Sequence, residues 1–103
     1  MQSPDVVTAL AALAHESRLA AFRLLVQAGP EGLAASRIAE SLDIANSSLS
    51  FHLKELTHAG LVTARQEGRF VIYAARFDTM NALLGFLTEN CCGGAPCTPA
   101  NPC

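Results

Sequence analysis

The first ninety residues contain no cysteine: all four thiols, Cys91, Cys92, Cys97 and Cys103, fall in the last thirteen positions. No disulfide therefore braces the body of the chain. Charge is scarce too, at 16% of residues, and a net charge of −2 excludes a chain that is basic throughout and holds nucleic acid by bulk attraction. No apolar run reaches the about 18–20 residues of a membrane span. The start, MQSPDVV, lacks the basic residues that open a secretory signal. A cytoplasmic location is expected, with reduced thiols, and a cluster of these fits metal binding or redox sensing better than a disulfide framework. Catalytic groupings are missing as well. There is no Ser/His/Asp set, phosphate loop or carboxylate pair, and His15, His52 and His58 have no obvious partners. These absences argue against an enzyme.

What is present is one domain. Its 103 residues are 50% hydrophobic, and a domain of this size buries about two thirds of its unfolded surface. So many apolar and so few charged residues predict that a second subunit covers part of the apolar surface. Apolar spacing predicts helices from Pro4 to about Ala14 and from about Ser17 to Ala28. The second carries Leu19, Phe22, Leu25 and Val26 on one face and is ended by Gly29-Pro30. A short helix from about Ala35 to Leu42 and a longer one from Ala45 to Ala59 follow, with Gly60 closing the latter. The period then drops to two. LVTARQ and RFVIYA read as a hairpin turning at Glu67-Gly68, and Phe77 to about Asn90 returns to helix with Asp78 as N-cap. The remainder, GGAPCTPANPC, holds too much Gly and Pro for regular structure. The predicted fold class is α+β, mostly α: a winged helix-turn-helix domain over residues 1–90 and a flexible Cys-rich tail over 91–103.

On the helix beginning at Ala45, Leu49, Leu53, Leu56 and Gly60 share one stripe and face the core. Ser47, Ser50, Phe51, Lys54, Glu55 and His58 lie opposite, with Ser48 and His52 on the borders. Small hydroxyl residues in the first turn suit close approach to a DNA groove, and Phe51 suits a thymine methyl. The bland alternative is that NSSLS is only a polar helix start. Arg65 and Arg69 flank the hairpin tip, placed for a minor groove or phosphates, although a plain solvated hairpin also carries arginines. The segment from Arg37 to Arg76 is slightly positive, with Arg37, Lys54, Arg65, Arg69 and Arg76 against Glu40, Asp43, Glu55 and Glu67.

ALAHESRLAAFRLL, and then IAESLDIANSSLSFHLKELTHAGLVTARQEGRFVIYAA, resemble the arsenical-resistance repressor (ArsR-type) family of winged helix-turn-helix regulators. The resemblance runs from about Ala9 to Leu87. It departs at His15, where the family more often has Asp, and at Phe51, where a basic residue is frequent. It implies a repressor that binds operator double-stranded DNA as a homodimer joined through the first and last helices, released by a metal or metalloid. On that pattern Ser47, Ser48, Ser50, His52 and Lys54 are the recognition-helix contacts, with Arg69, and Arg65 beside it, on the wing. Both interface helices are short of charge, with none between Val6 and Leu13 or between Met80 and Thr88.

The sensing sites of this family lie in several places. The third helix here, SRIAESL, has no cysteine, and the last, FDTMNALLGFLTE, has Asp78 and Glu89 but no histidine, a poor zinc set. The tail remains, and TENCC followed by a third nearby cysteine resembles the subset of the family associated with trivalent arsenic. As(III) is thiophilic and takes three sulfurs, which Cys91, Cys92 and Cys97 supply across the Gly-Gly-Ala-Pro loop. Sb(III) shares that chemistry. Cys103 as a fourth thiolate keeps zinc or cadmium open as the metal. A redox-sensing thiol pair, or a winged-helix protein-interaction module with a disordered tail, are the other readings. A position after a helix C-terminus and beside Glu89 is expected to raise the Cys91 pKa.

Overall fold

A computed structural model of the protein describes residues 1–94; Cys97 and Cys103 lie outside the described residues. The elements are α1 (Ser3–Leu13), α2 (Glu16–Ala28), β1 (Leu33–Ala34), α3 (Ala35–Leu42), α4 (Asn46–His58), β2 (Val62–Glu67), β3 (Phe70–Ala75), α5 (Phe77–Leu87) and a 3₁₀ turn over Cys91–Gly94. The fold is a mostly helical winged helix-turn-helix domain, as the sequence predicts.

The helix-turn-helix is locked by backbone geometry. At the end of α3, Ile44 N–H donates to Ala39 O and Asp43 N–H to Glu40 O, with Asp43 left-handed at φ 54°. That is a Schellman ending, and aspartate is among the few residues that tolerate the conformation. Ala45 alone then separates the turn from α4. The far end of α4 repeats the device: Leu61 N–H reaches Leu56 O and Gly60 N–H reaches Thr57 O, with Gly60 at φ 77°. Both leucines are fully buried, supplying the apolar contact such an ending carries.

Leu25 of α2, Ile38 of α3, and Leu49, Leu53 and Leu56 of α4 form the centre of the core with Leu61 and Val62. α4 thus buries its leucine stripe and leaves the opposite side free. Leu19 shares the predicted face but is exposed: with Phe22, Val26, Met80 and Leu84 it lines an apolar cavity of about 310 Å³ between α2 and α5.

Further expectations are corrected. The hairpin pairs Glu67 with Phe70, so its two-residue loop is Gly68-Arg69 rather than Glu67-Gly68, with Gly68 at φ 61°. This puts glycine at the first central position, where positive φ is required. The sheet also has a third strand: β1 pairs with β3 through Leu33↔Tyr73 and Ala34↔Ile72, giving the order β1-β3-β2. Finally, Arg76 rather than Asp78 is the N-cap residue of α5, and Asp78 sits in the first turn, where its charge favours the helix dipole. That helix stops at Leu87, three residues before the expected end, and Cys91–Gly94 form a turn inside the segment expected to be irregular.

Candidate nucleic-acid interface and thiol turn

The N-terminus of α4 has no side-chain cap: its N-cap is Ala45, which makes no capping hydrogen bond. The hydroxyls of Ser47, Ser48 and Ser50 are all exposed. A polar helix start built only for capping would have spent them on the first-turn N–H groups. Those N–H groups carry the positive end of the helix dipole and suit an anion such as phosphate. Phe51, 57% exposed, and Lys54 continue the same face.

His52 sits differently. It is half-buried on the inner border of α4, its ring centroid 4.5 Å from that of His15, and Arg18 Nη1 lies 3.5 Å from its Nδ1. Two of the three histidines therefore have partners that the sequence does not reveal. His15 also does the work of the aspartate frequent in the family, because its Nδ1 accepts from Ser17 N–H at 3.2 Å and caps α2. The signal was present in the position, one residue before a helix, though not in the residue type.

The two wing arginines separate. Arg65 Nε donates to Glu67 Oε2 at 2.6 Å and Nη2 to the Glu31 carbonyl at 2.7 Å, which turns the side chain back along the sheet. Arg69 is in the turn itself, exposed, and outside the one ion pair among the described residues. Lys54 on the helix and Arg69 at the wing tip are thus both outside the ion pair found among the described residues.

At the other end, Thr88 O–H donates to Leu84 O at 2.8 Å and terminates α5. Asn90 and Cys92 are left-handed, at φ 57° and 56°. Neighbouring side chains in extended chain point to opposite sides; here the left-handed Cys92 brings the two sulfurs to 3.7 Å, a hydrogen bond rather than a covalent bond. That contact with Cys92, with partial burial second, raises the Cys91 pKa. The direction is the expected one, and the leading cause is the neighbouring thiol rather than the helix end. Among the described residues no group of three metal-ligating side chains forms. No helix of the described residues is long and apolar enough to cross a membrane.

Residues 13–65 match the family described as Helix-turn-helix domain. The HTH-type transcriptional regulator YceK of Bacillus subtilis, itself uncharacterized, is 38% identical over 89 residues, 84% of this chain and 88% of that protein. A Halobacterium salinarum protein bearing the name arsenical resistance operon repressor ArsR is 42% identical over 67 residues, 65% of this chain and 51% of its own length. Among solved structures, the homodimeric winged helix-turn-helix DNA-binding domain Mb0332 of Mycobacterium bovis superposes with a TM-score of 0.68 at 27% identity, covering 89% of this chain and 85% of that one. An uncapped, hydroxyl-lined helix beside an arginine-tipped hairpin, together with these likenesses, makes the chain a member of the ArsR-type family of winged helix-turn-helix transcriptional regulators, which bind DNA and are not enzymes.

Proposed function

We propose that the protein is an arsenite-responsive repressor: a homodimer that holds operator DNA through α4 and the wing and releases it when As(III) is bound by Cys91, Cys92 and Cys97. The observation that carries the metalloid reading is the pair of sulfurs 3.7 Å apart directly after α5. A soft three-coordinate centre can touch both at once, and the third thiolate is a short loop away in sequence. The name of the Halobacterium relative agrees with an arsenical inducer.

Self-association is supported by α1 and α5, which pack on each other and are apolar on both sides. Val6, Ala9 and Leu83 face the core while Val7 (65% exposed), Leu10, Leu84 and Leu87 face outward. Outward apolar side chains on two packed helices suit an interaction surface, and the homodimeric Mycobacterium bovis domain fits a second copy as their cover. Gly85 lies beside Leu84, and a Cβ there meets no atom of the same protomer. Gly85→Ala should therefore gain about 1 kcal/mol of helix propensity yet weaken the dimer, because the partner helix needs that space. Sedimentation equilibrium reads the second effect; dimer affinity unchanged or improved removes close packing as the reason for the glycine.

The repressor reading is tested with a labelled duplex spanning the region upstream of the gene. Binding should fall steeply between about 50 and 200 mM salt, as phosphate contacts require, and arsenite should release the DNA. Arg69→Ala should weaken binding and lower the salt slope by about one, while Arg65→Ala, whose side chain is turned to Glu67 and Glu31, should change the slope little. No binding at low salt by the metal-free protein sinks the repressor; binding that zinc or cadmium relieves and arsenite does not moves the inducer to a four-thiolate metal.

A further inference from the structure

Arg18 stands where three helices meet. From the first turn of α2 its Nε donates to the Ala12 carbonyl in the last turn of α1, at 2.6 Å. Its Nη1 donates to Nδ1 of His52 on α4, at 3.5 Å. One guanidinium thus joins the helix that carries outward apolar side chains to the helix that faces DNA. The His52 ring is stacked at a tilt on His15, whose own Nδ1 accepts from the Ser17 N–H.

Both imidazoles are therefore held as acceptors, each by a group that can only donate, a guanidinium or a backbone N–H. A proton on the His52 Nδ1 turns that acceptor into a donor and removes the hydrogen bond to Arg18. It also adds positive charge where one cation is already permanent. The charged or titratable groups acting on His52 are His15, just ahead of α2, and Arg18 on α2, neither of them acidic. On its own helix, one turn on, Glu55 shares a cavity wall with Arg18 and His58 at the junction of α1 and α4.

Building on the assignment of α4 as the DNA-reading helix, we propose that Arg18 is a positioning residue that clamps this helix to α1, and that His52 makes the clamp open on acidification. Burial first, then the charges of His15 and Arg18, keep the folded His52 pKa below the ordinary histidine value. The sign follows: the opened form binds the proton more readily, so the clamp is intact above about pH 6.5 and loses stability progressively as pH falls below it. Each pH unit of difference in proton affinity is worth a factor of about ten in the opening equilibrium.

The test is amide hydrogen exchange of the full chain without DNA or metalloid, followed by mass spectrometry and corrected for the intrinsic pH dependence of exchange. Between about pH 7.5 and 5.5, peptides covering α4 should lose protection, while those of the central turns of α2 should not. The His15→Asn/His52→Asn double variant keeps an acceptor near each Nδ1 position but cannot titrate, so its α4 protection should stay constant over that range. Arg18→Lys leaves both histidines in place, but a single ammonium cannot span carbonyl and ring; α4 protection should already be reduced at about pH 7.5 and should vary less with pH. Wild-type α4 protection that is flat with pH, or a double variant that titrates like the wild type, overturns the proton-sensitive clamp. Undiminished protection in Arg18→Lys overturns the role of Arg18. Because no DNA is present, these outcomes are independent of whether the repressor reading holds.

Discussion

A Cys92→Ser protein is expected to stay on its DNA at arsenite concentrations that release the parent protein. Serine offers a hard oxygen where a soft centre takes sulfur, and it removes one of two donors held 3.7 Å apart. Losing one arm of a linked set of donors costs a factor of about 10² or more in affinity, since each tethered donor acts at high effective concentration. Cys91→Ser should behave alike. Cys97→Ser is the sharper arm: a fully retained arsenite response there would falsify the three-thiolate assignment. Native mass spectrometry reads the same chemistry directly. Three thiols meet arsenous acid, each S–H proton leaves with an As–OH as water, and the subunit gains one arsenic less three hydrogens. No net proton is released to solvent in that balance. Zinc or cadmium binding does release thiol protons, and the raised Cys91 pKa makes that proton harder to lose near neutrality. Arsenite affinity should therefore vary little with pH below neutrality, whereas zinc or cadmium affinity should climb as pH rises.

The second large effect is on folding. Leu53→Ala should lower stability by about 2–5 kcal/mol, a large share of the about 5–15 kcal/mol that a domain commands. Leu53 is 1% exposed and lies among the fully buried side chains on the stripe that seats α4 on α2 and α3. The thermal midpoint should drop by about 10 °C or more. DNA affinity should fall with it at temperatures where the parent still binds. Phe51→Ala, eliminated from the opposite side of the same helix, makes the control: at 57% exposure it should leave the midpoint within a degree or two.

The helices were legible because their signals are local. The leucine stripe of α4, the glycines ending α2 and α4, and the change of period after Gly60 all lie within a few residues of the elements they specify. Strand β1 was not legible, because two residues carry no period; Leu33 and Ala34 are a strand only because β3 offers them a partner. Asp78 looked like a cap by residue type, but the chain enters α5 at Arg76 directly from β3, which sets the cap two residues earlier. On the exposed face of α4 and at the hairpin tip the serines, Lys54 and Arg69 could be placed from spacing alone. The fates of Arg65 and His52 could not, since each is decided by a group 34 residues away, Glu31 for one and Arg18 for the other. The vicinal thiols were visible in the sequence, while their side-by-side placement depends on the left-handed backbone of Cys92, which no residue preference announces.

The short strand β1 has a mechanical consequence. It pins the hairpin at Tyr73 and Ile72, and Arg65, opposite Ile72, adds a tie to the Glu31 carbonyl at the same level. Gly32 lets the backbone pass so close to the Tyr73 carbonyl that any side chain there would collide with it. The wing is therefore a cantilever, built in at its root and free only over 66–71. Bending amplitude grows toward the tip, where Arg69 sits, so the tip can follow a groove of varying width while the root keeps its angle to α4. In the proposed repressor, stiffness at one end and compliance at the other would let a single arginine search for a phosphate without loosening the helix beside it.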